Sequence, residues 1–144
     1  MVVLVVLFGS LMLYRVLGVA GVPALAAWQA SARWALATMF AFTAVAHFTA
    51  TRRDLIAMVP PWLPKPAPLV TVPGALELAG AAGLLIPPLR PWAAAGLMAL
   101  LVAMFPTNIY AARQELTIRG RPATSLWLRA PMQLLFLLWT WWVL

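Results

Sequence analysis

Apolar runs of about twenty residues recur along this 144-residue chain, at positions 2–20, 34–50, 69–87, 92–112 and 123–144. That is the length of α-helix that crosses the hydrocarbon core of a bilayer. Hydrophobic residues make up 65% of the sequence and charged residues 9%, with a mean hydropathy of +0.94, which leaves too little polar surface for a soluble domain. The expected fold is all-α: a polytopic membrane protein of five helices, forming a single transmembrane domain over residues 1–144 with no soluble part.

The net charge of +7 raises the question of nucleic acid. The arginines, however, sit mostly at the ends of the apolar runs, where the orientation rule for membrane helices accounts for them, so no nucleic-acid partner is expected. The loop after the second run and the loop after the fourth hold Arg52, Arg53, Lys65, Arg113, Arg119 and Arg121, against Arg33 and Arg90 in the other two. This bias predicts that those two basic loops and the N-terminus face the cytoplasm. Tryptophans lie near the ends of the runs, as in an interfacial aromatic belt.

Two readings of the first run stand side by side. Ala24-Leu25-Ala26 has the small-x-small form of a signal-peptide cleavage site. The lack of Lys or Arg before the apolar stretch, and Arg15 within it, favour a retained helix whose Arg15 snorkels to the nearer interface.

The chain has no cysteine and one histidine, His47, which excludes disulfides, thiolate metal sites, Fe–S clusters and a bis-histidine haem within one chain. Neither a metal site nor a set of catalytic residues is expected. Ser10, Ser31 and Ser125 have no matching His and carboxylate at their depths, and there is no Gly-rich phosphate loop after a strand.

What stands out is a set of polar residues inside the apolar runs. His47 is near the end of the second run, Glu77 near the start of the third, Asn108 near the end of the fourth, and Arg129 and Gln133 near the start of the fifth. Because consecutive helices alternate in direction, all five fall on one side of the membrane, roughly 6 to 13 Å inside their helix ends at 1.5 Å per residue. They form a candidate ligand-binding cluster. The alternative is structural: Glu77 and Arg129 neutralise each other while the amides and the imidazole satisfy what remains. Above them the proline-rich segment LIAMVPPWLPKPAP, residues 55–68, cannot continue a helix. With Pro60, Trp62 and Pro64 in it, this segment reads as an interfacial loop or lid.

The blocks AHF at 46–48, MVPPWLP at 58–64, GALELAGAAGLLIPPLR at 74–90, FPTNIY at 105–110 and LRAPMQLL at 128–135 together resemble the DoxX-like family of small bacterial integral membrane proteins. The resemblance covers about residues 34–144 and rests on His47, Phe48, Pro60, Pro64, Gly74, Glu77, Pro106, Asn108, Arg129 and Gln133. It implies a four-helix core over 34–144, a further N-terminal helix over 1–22, and a multi-pass location in the bacterial inner membrane. The family takes its name from a small subunit of a thiosulfate:quinone oxidoreductase. The expectation is a non-enzymatic accessory, assembly or small-hydrophobic-ligand-binding subunit with lipid and a membrane or peripheral protein as partners. A quinone-binding oxidoreductase subunit is the second reading, with quinone as its cofactor, and a small oligomeric transporter or channel the third.

Overall fold

The computed structural model describes residues 2–144. Six α-helices follow one another: α1 (Val2–Val19), α2 (Trp28–Ala46), α3 (Arg52–Ala57), α4 (Pro66–Leu85), α5 (Arg90–Arg113) and α6 (Leu126–Trp142). Short 3-10 turns at Pro23–Leu25 and Pro87–Leu89 join α1 to α2 and α4 to α5. The only strand pairing among the described residues is a two-residue antiparallel ladder, β1 (Thr117–Ile118) with β2 (Arg121–Pro122). Three segments are long and apolar enough to cross a membrane: Val2–Val19, Pro66–Leu85 and Pro87–Arg113.

Each long helix packs antiparallel on the next. Tyr14 meets Thr38 between α1 and α2, Thr43 meets Glu77 between α2 and α4, Gly80 meets Leu97 between α4 and α5, and Asn108 meets Arg129 between α5 and α6. α2 is the centre of the bundle. Its alanines 32, 35, 37 and 44 keep its surface low, so α1 and α4 both press against it, and Leu36, Met39 and Phe40 fill the core between them. Gly80 works the same way on α4: a Cβ there would lie 2.6 Å from two side-chain carbons of the buried Leu97, so only glycine lets α5 come this near.

α6 closes the bundle at one end only. There Gln29 and Arg33 of α2 donate to the carbonyls of Trp142 and Val143, 3.2 and 3.0 Å away, and Trp139 donates to Ala32 O at 3.4 Å. The bonds to Trp142 and Val143 satisfy carbonyls that the C-terminal turn of a helix leaves free, and the Arg33 cation suits the negative end of its dipole. At the opposite end α2 and α6 diverge, which creates the cavity described below.

Several boundaries differ from the sequence expectation. α2 starts at Trp28, not 34, because Arg33 lies within it and reaches the α6 terminus instead of marking a helix end. It stops at Ala46, where His47 N–H and Phe48 N–H bond three residues back and tighten the final turn. Arg52, Arg53 and Asp54 form the first turn of α3, with Asp54 at the favourable N-terminal end; α3 runs on to Ala57 and α4 begins at Pro66, so both enter the 55–68 stretch expected to lack helix. The loop after α5 folds into a hairpin whose turn residues Arg119 and Gly120 both have positive φ, 53° and 73°, as a type I′ turn requires. Arg15 reaches the start of α2: it donates to Ala26 O at 2.8 Å and lies 4.2 Å over the Trp28 ring.

Candidate functional site

Between α2, α4, α5 and α6, beneath α3 and the hairpin, lies a cavity of about 940 Å³. His47, Glu77, Asn108, Arg129 and Gln133 all line it, together with Thr43, Thr107 and Thr124 and apolar side chains such as Met104, Met132 and Phe136. The five residues singled out from the sequence are thus brought around one space, on two different walls.

The α2–α4 wall holds its polar residues with partners of its own. Glu77 and His47 are each only 5% exposed. Thr43 Oγ1 lies 3.0 Å from Glu77 Oε2 and also 3.0 Å from Phe40 O, so one hydroxyl proton is shared between two acceptors. His47 Nδ1 is 2.7 Å from Val70 O; a carbonyl only accepts, so Nδ1 carries the proton and donates. That fixes Nε2 as the nitrogen turned toward Glu77 Oε2, 3.8 Å away. Gly74 makes this possible, because a Cβ there would strike the His47 side chain. The threonine was not singled out from the sequence. Its spacing of four residues from His47, one turn along the same face of α2, was the available signal.

The α5–α6 wall is not satisfied. Arg129 Nη1 donates to Asn108 Oδ1. Arg129 Nε and Gln133 Nε2, one turn apart on α6, are buried with no hydrogen-bond partner among the described residues. The mutual neutralisation of Glu77 and Arg129, one of the two sequence readings, does not occur: among the described residues the only ion pair within 4.0 Å is that of Glu77 with His47. The reason is topological. α4 faces α2 here and α5 faces α6, so each wall supplies its own partners. An arginine at this depth with an amide neighbour and no carboxylate is costly in an apolar surround.

The roof is made of other residues than those expected. Met58, Val59 and Leu63 line the cavity, as do Ile118 and Arg119 of the hairpin, whereas Pro60, Trp62 and Pro64 do not. Pro60 is fully buried, Pro64 is exposed, and Trp62 packs edge-on against Tyr110 with ring centroids 5.5 Å apart, pinning the loop to α5. Asp54 Oδ2 accepts the backbone N–H of Arg119 at 2.8 Å and ties α3 to the hairpin across the mouth. Arg52 donates to Thr71 Oγ1 at 2.7 Å and ties α3 down to α4. Among the described residues no three His, Asp or Glu side chains gather as a metal site would need. The site therefore offers a cavity with polar side chains on two walls and a partly basic rim, in a frame of apolar helices.

Neither the curated proteins nor the solved structures yielded a match to this chain. A family does match, over residues 36–144, which takes in all five polar residues but leaves outside the first part of α2 and all of α1, whose Val2 and Val3 also line the cavity. On that extent the chain belongs to the family described as a domain of unknown function, DUF8561.

Proposed function

We propose that this protein is a multi-pass membrane protein of the bacterial inner membrane that binds a small amphipathic molecule and serves, without catalysis of its own, as a subunit of a larger membrane assembly. The observation that carries the reading is a cavity of about 940 Å³ lined by Arg129 and Gln133, two α6 residues whose Nε and Nε2 are buried without a partner and which face no carboxylate within 4.0 Å. That volume is near the upper end of the roughly 300–1,000 Å³ range of small-molecule sites. Buried donors are nearly always satisfied, so a ligand is the natural acceptor. In this reading all five long helices span the bilayer, with α2 and α6 screened by the apolar α1, α4 and α5. α2, α4, α5 and α6 then form a DoxX-like four-helix core, and the α3 and hairpin side faces the cytoplasm.

The test is ligand extraction. Wild type and Glu77→Gln are purified mildly from membranes, and their bound small molecules are compared by mass spectrometry. A defined molecule at near-stoichiometric level in wild type, depleted in the variant, supports the reading. Identical bulk lipid in both, with the variant only less stable, leaves Glu77 as a structural residue and removes the binding function.

One observation favours a quinone as that molecule. The cavity presents donors on the α6 wall and the His47–Glu77 pair, able to exchange a proton, on the other. A quinone head with two carbonyls that are protonated on reduction matches both walls, and the protein would then belong to an oxidoreductase. Recovery of quinone in the extract distinguishes this reading from that of a lipid ligand.

A further inference from the structure

Resting on the binding function proposed above, we infer that the ligand is an anionic, chain-bearing amphiphile whose oxyanion head sits on Arg129 and Gln133 and whose chain leaves sideways, between α2 and α6, into the bilayer.

The head group follows from the donors. Arg129 spends one nitrogen on Asn108 and keeps Nε buried and free, and Gln133 Nε2 is free one turn away. Two polar side chains one turn apart along one helix face, one of them cationic, suit an oxyanion. The charges facing the cavity agree. Arg119 and Arg129 line it against a single carboxylate, Glu77, and Glu77 is already held by Thr43 and His47 on the opposite wall. A neutral head group would leave the Arg129 charge uncompensated in an apolar frame.

The sideways path follows from the helix packing. α6 is bonded to α2 only at the far end, through Gln29, Arg33 and Trp139. At the level of His47 the cavity is bordered on the α2 side by Phe42 and Val45 and by Val2 of α1, which line it and are 46%, 54% and 57% exposed. Cavity-lining residues this accessible mark an opening, and these three are apolar. In a bilayer, that opening meets acyl chains rather than water.

The shared chemistry is a carboxylate or phosphate on one apolar chain, which fits a free fatty acid or a single-chain phospholipid. Native mass spectrometry of the full-length protein, titrated with palmitate, lysophosphatidic acid and hexadecanol, separates the cases. Palmitate or lysophosphatidic acid is expected to bind at least 10-fold more tightly than hexadecanol, and whichever of the two prevails names the source. Arg129→Gln is expected to weaken the preferred anion about 10- to 100-fold and leave hexadecanol unchanged, the range for losing a hydrogen bond to a charged group. Val45→Trp, on the outer edge of the opening, is expected to weaken all three several-fold. Where Arg129→Gln does not fold, Gln133→Leu, which keeps the charge, replaces it with an expected loss of a few-fold for the anion alone. Equal binding of hexadecanol and palmitate, insensitive to Arg129, overturns the anionic head group and leaves the binding function standing. Binding insensitive to Val45→Trp overturns the lateral path. Failure of all three probes to bind, with nothing recovered in the extraction described above, removes both.

Discussion

Gly74→Ala tests whether the candidate site depends on the closeness of α2 and α4. A Cβ at this position would overlap the His47 side chain, approaching its Cγ to 2.8 Å and Phe48 Cε2 to 3.0 Å. The neighbour cannot swing away freely, since His47 is 5% exposed and its Nδ1 is held 2.7 Å from Val70 O. Overpacking of this kind costs about 1–3 kcal/mol. Loss of the His47–Val70 hydrogen bond adds about 1 kcal/mol. Alanine in place of a helical glycine returns roughly 0.5–1 kcal/mol. The steric term wins, for a net destabilisation of about 1–3 kcal/mol from those three contributions. The internal control is Gly96→Ala on α5, where no atom lies within 4 Å of the new Cβ. Only the helix-propensity gain applies there, so that variant is expected to be more stable by roughly 0.5–1 kcal/mol. Both are measured by reversible unfolding in mixed micelles, followed by circular dichroism. If Gly74→Ala proves as stable as Gly96→Ala, the close approach that positions His47 is not there and the reasoning fails.

Thr43→Val removes the hydroxyl that Glu77 shares with Phe40 O and leaves the carboxyl with His47 alone. A loss of about 1–3 kcal/mol in the same unfolding assay is expected from the unsatisfied acceptor, and an unchanged stability would show that the bond is not made. Asp54→Ala frees the Arg119 amide and uncouples α3 from the hairpin across the cavity mouth. Hydrogen exchange at the amides of residues 117–121 is expected to accelerate about 10-fold, corresponding to a hydrogen bond to a charged group worth about 1.5 kcal/mol, with little change in α4 and α5. Exchange that stays at the wild-type rate would mean that the hairpin is held by its own ladder.

The helical, membrane-type character of the chain was legible because it depends on one-dimensional quantities: the length of apolar runs, and where arginine, proline and tryptophan interrupt them. The convergence of His47, Glu77, Asn108, Arg129 and Gln133 was legible for the same kind of reason. Helices joined by short connections alternate in direction, so residues near alternate helix ends must share a side of the bundle. Which of those residues touch was not legible. It depends on which helix face turns to which neighbour, and small residues decide that: the alanines of α2, and Gly74 and Gly80 of α4, set the distances at which α4 and α5 settle. Pairing Glu77 with Arg129 was reasonable from opposite charge alone, yet the order of packing gave Glu77 to Thr43 and His47, and Arg129 to Asn108.

The same distinction holds at the periphery. Arg33 looked like a helix end from sequence because a cation in an apolar run is costly, but only the tertiary structure supplies the free carbonyls of α6 that satisfy it inside α2. The hairpin was hidden because its turn reads Arg119-Gly120, not the Asn-Gly or Asp-Gly that would announce a type I′ turn. Sequence by itself determined that the chain forms apolar helices and which polar residues fall toward the same end of the bundle, since both follow from the length and order of the segments. Tertiary structure alone decided that those residues form two walls, one satisfied and one with free donors, because a hydrogen bond depends on the distance between segments.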